Sequence, residues 1–489
     1  MRRAGVGVAT AAALAGAVVL AGSVAVTRTL MVAAPAESST VPPPPPVDSA
    51  AVARRLSGAI KFQTVSYAGG VKEAERTAAL RDLHDYLDRA YPYFHEDAPQ
   101  EIFGESLLFV WRGTDENLPP ILLMAHLDVA PVVERTEGNW THEPFSGDIA
   151  DGYVWGRGTF DNKAAAVALM EAGDRLAQSN FQPRRTIMFA FGEDQEAGGS
   201  KGNAAIAKAL ADRGVRFAWV LDEGSPILKE PYPGIERPVA FVSIAEKGFL
   251  RLELSAKGGE DGAAALSRAA GSALGRLFPS DLDAIQRAKL DVLTPYAPFG
   301  ERLKLANLWL AKPLVIGALQ GDAETAAALR TTISPVVTGL SLDGQLTKSA
   351  LRTDADVRAI DVHLHQGDTI ASVTQQVTAA IGNSEIEVQP LTATQAEPSR
   401  ITDVNSPAYA YIARAIAETF VVPVAPELMT RPTDSRHYLD MADAVLRFSP
   451  FTAGPGDLAR VHGTDERVAV ADLGPAVGFY TWLIRNSAQ

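Results

Sequence analysis

From Pro119 onward, short apolar runs alternate with stretches of helical period, the pattern of repeated β-α units with parallel strands. The apolar runs predict strands over Ile121–Ala125, Thr186–Phe191, Phe217–Leu221 and, far downstream, Val445–Phe448; the 3.6-residue period predicts helices over Ala74–Ala90, Lys163–Ser179 and Gly202–Arg213. Between Lys247 and Pro398 the pattern changes. Polar and apolar residues alternate in Leu250–Ser255 and Val357–Leu364, as in strands exposed on one face, with helical stretches between them. The expected fold is therefore α/β: a mostly parallel sheet flanked by helices, formed by residues 47–246 and 399–489, interrupted by an inserted α+β domain over 247–398. A chain of 489 residues suits this division, because single cores stop growing at roughly 250 to 300 residues.

The first 46 residues follow another pattern. Arg2 and Arg3 precede an uncharged run rich in Ala, Val and Gly from Ala4 to Val26, and Pro42–Pro46 follows as a polyproline spacer. The apolar run is long enough to cross a bilayer, which takes about 20 residues. The charges before it predict an inside N-terminus, with the bulk of the chain on the extracytoplasmic side. A cleaved signal peptide is the competing expectation, with small residues at Ala33, Ala34 and Ala36.

Composition narrows the chemistry. The net charge is −13 and no Lys/Arg cluster is visible, which argues against a nucleic-acid partner. The absence of cysteine excludes disulfides, thiolate metal sites and a cysteine nucleophile together, so a bound metal must be held by His and carboxylates.

Those residues gather at predicted strand ends, where open α/β sheets bind their ligands. Met124-Ala125-His126-Leu127-Asp128 ends a buried strand; a neutral imidazole can bind a metal while a carboxylate two residues on orients it. Gly156-Arg157-Gly158-Thr159-Phe160-Asp161 is a glycine-rich turn feeding a helix, where Asp161 could equally serve as an N-cap. Gly192-Glu193-Asp194-Gln195-Glu196 crowds three carboxylates into four positions, which disfavours full ionisation without compensating cations or solvent. Leu221-Asp222-Glu223-Gly224 ends another strand.

Together with Ala245-Glu246-Lys247-Gly248, Thr433-Asp434-Ser435-Arg436-His437-Tyr438 and Arg460-Val461-His462-Gly463, these segments resemble the dizinc metallopeptidases that include glutamate carboxypeptidases, aminoacylases and yeast carboxypeptidase S. The resemblance covers roughly residues 50 to 489 and is nearest to the carboxypeptidase S and N-acyl-amino-acid hydrolase branch. It implies a zinc-binding catalytic domain and an inserted lid domain through which relatives often form homodimers. It also implies two zinc ions bridged by Asp161, with His126 and Asp222 completing one site and Glu196 and His462 the other. Asp128 would stand behind His126, and Thr433, Asp434 and Arg436 would handle a peptide or N-acyl amino acid substrate.

The chain departs from the family at one decisive position. Gln195 stands where relatives carry the Glu that takes a proton from the metal-bound water, a role usually worth about 100-fold to 10,000-fold. Glu193 is the nearest substitute base, on the same side of an extended chain but about 6 to 7 Å back. In the insert, Gly258-Gly259-Glu260-Asp261 replaces a His-containing turn, Ala350 stands near the usual Asn and His363 near the usual Arg. Two readings follow: a zinc-dependent carboxypeptidase or aminoacylase with an altered proton path, and a metal-binding, catalytically impaired relative that still binds such a ligand.

Overall fold

The computed structural model describes residues 2–33, 47–67, 72–133, 136–256, 274, 277–335, 357–391 and 395–488. The Pro42–Pro46 run, Ala34, Ala36, Gly258–Asp261 and Ala350 lie outside them.

Among the described residues, ten strands form the large sheet. Its centre is four parallel strands side by side: Ile187–Gly192, Ile121–His126, Trp219–Asp222 and Val445–Arg447. Antiparallel strands Ser106–Trp111 and Gln100–Phe103 extend one edge, and Val239–Glu246 continues the other, pairing in parallel with Val424–Met429. The central strands are apolar up to their last residue because both faces are covered; three of them end in His126, Asp222 and Arg447. Ile121, Leu123 and Ala125 join the larger core under helices Ser49–Ile60, Ala164–Gln178 and Val470–Asn486, whereas Leu122 and Met124 face a smaller core with Ile206 and Leu210 of helix Asn203–Asp212. The predicted strands and helices are all present, with every end within two residues of the one expected.

The second sheet is antiparallel, in the order Thr332–Pro335, Val357–Leu364, Gly248–Ala256, Ile386–Pro390. It starts at Gly248, two residues after the large-sheet strand ends at Glu246, with Lys247 between them. Leu250, Leu252 and Leu254 bury one face against Val373 and Val377 of helix Ile370–Ile381. Helices Ala284–Leu293, Phe299–Leu305 and Leu308–Leu319, although inside the same stretch of sequence, pack instead on the large sheet: Leu290, Leu293, Val315 and Leu319 share a core with Val239, Phe241 and Ala425. Covalent order and packing therefore divide differently. Lys247 ties the junction by donating to Ala327 O (3.0 Å), Arg330 O (2.9 Å) and Thr332 Oγ1 (3.2 Å).

The N-terminal apolar run forms one helix, Arg2–Met31, longer than the segment expected from Ala4 to Val26. Its window Leu14–Met31 has a mean hydropathy of 1.7 and is 11% buried.

Candidate metal centre

The central strand Ile187–Gly192 brings Gly192 level with His126, and Trp219–Asp222 flanks the other side with Leu221 opposite Leu123, so the loops after three parallel strands meet at one end of the sheet. Asp161 is delivered from beside them by a loop that only its sequence permits. Gly158 has φ +84°, and a Cβ there would lie 2.3 Å from Val129 Cγ1. Glu466 Oε1 accepts the N–H groups of Gly158 (3.0 Å), Phe160 (3.0 Å) and Asp161 (3.2 Å), while its other oxygen takes Arg157 Nη1 at 2.5 Å. The helix begins three residues later, at Ala164, and the Asp161 carboxylate is free of any capping role.

Asp161 instead lies between two imidazoles. Its Oδ1 is 2.9 Å from His126 Nε2 and its Oδ2 is 3.1 Å from His462 Nε2. Glu196 Oε1 is 3.0 Å from the same nitrogen of His462. His462 reaches in from a backbone with φ +62°. On the other side the oxygens of Asp222 accept the N–H groups of Glu223 and Ser435, both at 2.8 Å, and Glu223 Oε2 lies 3.3 Å from His126 Nε2. The short loop after the strand needs acceptors for its backbone, and Asp222 supplies them.

Asp128 organises the other ends of these groups. Its Oδ2 accepts Glu196 N (3.0 Å) and Ser66 Oγ (2.6 Å), its Oδ1 accepts Gln195 N (3.1 Å), and His126 Nδ1 lies 3.0 Å from its carbonyl and 3.2 Å from Oδ1. One buried carboxylate thereby holds both the imidazole and the loop that carries Glu196.

Three carboxylates against two imidazoles leave an excess of negative charge in a largely buried place. Burial works to depress His462, yet Glu196 and then Asp161 raise its pKa to about 10. His126 is likewise lifted against burial, first by Glu223, and burial pushes the Glu223 carboxyl up. The ligand atoms of His126, Asp161 and Glu196 all lie within 4.8 Å of one another. Nitrogen and oxygen donors, clustered around an acidic bridge, are the set that divalent metals of the zinc type accept.

The remaining expected residues divide. Gln195 lines the cavity over the cluster and its Nε2 donates to Pro432 O at 3.3 Å. Glu193 is turned away, correcting its expected role as a substitute base: Oε2 pairs with Arg76 Nη2 at 3.0 Å, and Oε1 accepts Glu105 N at 3.0 Å. Thr433 and Asp434 are wall supports. Thr433 Oγ1 bonds Glu246 Oε2 at 2.9 Å, which also takes Arg447 Nε at 2.9 Å, and Asp434 accepts Asn203 Nδ2 at 2.7 Å. Burial, then the charges of Asp194 and other neighbours, raises Asp434 to about 7. Arg436 does reach the cavity, bonded to Gly198 O. Sequence reasoning missed Glu466, Arg157, Ser66 and Arg76, whose partners are distant in the chain; Glu223, beside the residue chosen, was within reach.

The cavity above the cluster measures about 380 Å³. Phe160, Leu228, Phe241, Phe249, Leu428 and Val461 give it apolar walls, and His363 of the small sheet faces in, its ring 5.4 Å from that of Phe249.

The sequence model of "Peptidase family M20/M25/M40" matches residues 122–486. Over 450 residues the chain is 32% identical to a probable carboxypeptidase S-like protein of Dictyostelium discoideum, covering 90% of this chain and 85% of that one. Over 449 residues it is 31% identical to an N-fatty-acyl-amino acid synthase/hydrolase of Xenopus tropicalis, covering 88% and 85%. In fold it is similar to human carnosine dipeptidase 1, with a TM-score of 0.62 at 15% identity over 90% of this chain and 97% of that one.

Proposed function

The chain belongs to peptidase family M20/M25/M40, a family of metal-dependent hydrolases, and from that premise we propose that it cleaves the amide bond of N-acyl amino acids or small peptides at a pair of zinc ions. In this reading His126, Asp161 and Glu223 hold one ion and Asp161, Glu196 and His462 the other. The observation that carries it is the Asp161 carboxylate spanning two imidazoles, each with a further carboxylate beside it. Such ions supply an acidified water and a polarised carbonyl.

The chain's own residues set the rest. Apolar walls favour a substrate with a hydrocarbon acyl group, in keeping with the fatty-acyl relatives. Gln195 can orient a water through its amide but takes no proton at neutral pH. Other carboxylates on the cavity wall have partners already: Glu427 pairs with Lys289, Asp361 with Arg251, and Glu324 with Thr430. Turnover should therefore be slow compared with a relative that carries Glu at this place. A second reading, ligand binding without turnover, is favoured by the same Gln195. Metal analysis with a panel of N-acyl amino acids and dipeptides tests both: two zinc ions with hydrolysis supports the first, two ions with binding alone the second, and no bound metal removes both.

Helix Arg2–Met31 completes the proposal as a membrane anchor, with the catalytic bulk outside.

A further inference from the structure

Helix Leu308–Leu319 shows solvent an apolar face. Trp309, Leu310 and Leu314 are 54%, 60% and 66% exposed, and Pro313 and Gly317 lie in the same outer rows at helical spacing. Its opposite side, with Ala311, Val315 and Leu319, is buried in the core on the large sheet. Phe299, 53% exposed, adds to the patch from the preceding helix. Helix Ile370–Ile381 has an ordinary outer face: Gln375, Gln376 and Thr378 are exposed.

What covers the patch is indicated by its neighbour. Asn307, the residue before the apolar helix, is buried and donates from Nδ2 to Ala25 O and Thr29 Oγ1, both at 3.1 Å, near the end of helix Arg2–Met31. Trp309 Nε1 is in turn bonded to Asn307 Oδ1 at 3.3 Å. Ala25 is six residues from the end of that helix, about 9 Å along its axis at 1.5 Å per residue. In a hydrocarbon layer of about 30 Å, this contact falls in the outer leaflet when the N-terminal helix spans the bilayer with Arg2 and Arg3 inside. The apolar helix therefore starts at the depth where Trp is favoured and where an apolar outer face is solvated by lipid.

We infer that the Trp309–Leu310–Leu314 face of helix Leu308–Leu319 is seated in the outer leaflet of the membrane crossed by helix Arg2–Met31, as a second, non-spanning attachment. The seat rests on the anchor reading. It fixes how the hydrolase lies on the bilayer, because the segment after the apolar helix, Asp322 to Ala328, lines the cavity over the metal cluster. A tether through the spanning helix alone would leave the body free to turn.

The chain has no cysteine, so single-cysteine variants can be labelled without background. The full chain is reconstituted in phosphatidylcholine/phosphatidylglycerol vesicles, with an environment-sensitive fluorophore at Leu314→Cys, at Val18→Cys in the N-terminal helix, or at Gln375→Cys as the exposed control. Doxyl-labelled lipids serve as quenchers. The expected result is a blue-shifted, lipid-quenched emission at positions 18 and 314 and neither effect at 375. Quenching at 18 but not at 314 overturns the seat and leaves the anchor standing. Quenching at neither position overturns both. A blue shift at 314 without lipid quenching, accompanied by crosslinking between copies, assigns the face to a second copy of the chain and also overturns the seat.

Discussion

Two strand ends carry adjacent carboxylates, and they divide the work in the same way. After Ile187–Gly192, Glu193 is fixed to Arg76 and the Glu105 amide, Asp194 accepts Lys201 N (2.8 Å) and Gly202 N (2.9 Å), and only Glu196 reaches the imidazole cluster. After Trp219–Asp222, Asp222 serves the Glu223 and Ser435 amides while Glu223 turns to His126. The two ends differ in length and in what lies between. The first spends two carboxylates on the fold and places Gln195 before its site residue; the second spends one and has no intervening position. A carboxylate next to a strand end is thus claimed first by unpaired backbone N–H groups and buried cations, and the one left over faces the cavity.

The largest effects should come from the left-over members. Glu196→Ala and Glu223→Ala should each lose metal from one side, by more than the about 10-fold to 100-fold typical of a supporting residue, and abolish turnover; metal content by mass spectrometry distinguishes them from Asp222→Asn, which should keep both ions. If Asp222→Asn loses metal and Glu223→Ala does not, the assignment at the second strand end is reversed. Next comes Gln195→Glu, which restores a proton acceptor and should raise kcat about 100-fold to 10,000-fold; an unchanged kcat would mean that position 195 has no part in proton transfer.

The fold-serving members should cost stability and spare the metal. Glu193→Ala leaves Arg76 with the Glu73 carboxylate and the carbonyl of residue 193 and strands the Glu105 amide, for an expected loss of about 3 kcal/mol in urea unfolding. Asp222→Asn keeps one acceptor oxygen for two N–H groups and should cost about 1 to 3 kcal/mol. A last effect is confined by pH. Asp434 is raised from 3.8 to about 7 by burial, with Asp194 and other neighbours contributing. The folded state therefore favours its protonated form, and that contribution is complete below about pH 3.8 and lost as pH rises through about 7. Asp434→Asn should gain stability relative to wild type between pH 5 and 8, read as a rising urea midpoint; a difference that does not vary with pH would refute the cause.

The site was legible in part, and particular residues show where legibility stopped. His126, Asp161, Glu196 and His462 were identified through motifs, and the structure brings all four together. At Asp222-Glu223 a motif marks a segment, whereas the rotation of each side chain depends on what the loop's amides require. Strand geometry alone puts Glu193 on the same side as Gln195, but Arg76, 117 positions earlier, holds its carboxylate. Nothing local in the sequence marks Glu246, Arg447 and Asn203 as the groups behind Thr433 and Asp434.

The sequence by itself determined the parallel α/β centre, the change to antiparallel strands after Lys247, the apolar N-terminal helix and the placing of His and acidic residues at strand ends, because periodicity and strand-end position are local properties carried by neighbouring residues. Only the tertiary structure decided which carboxylate of each pair faces the cluster, that Glu466 holds the Asp161 loop, and that the helices of the inserted stretch pack on the large sheet. Those outcomes depend on charge, burial and hydrogen-bond demand from residues a hundred or more positions away, which no local pattern records.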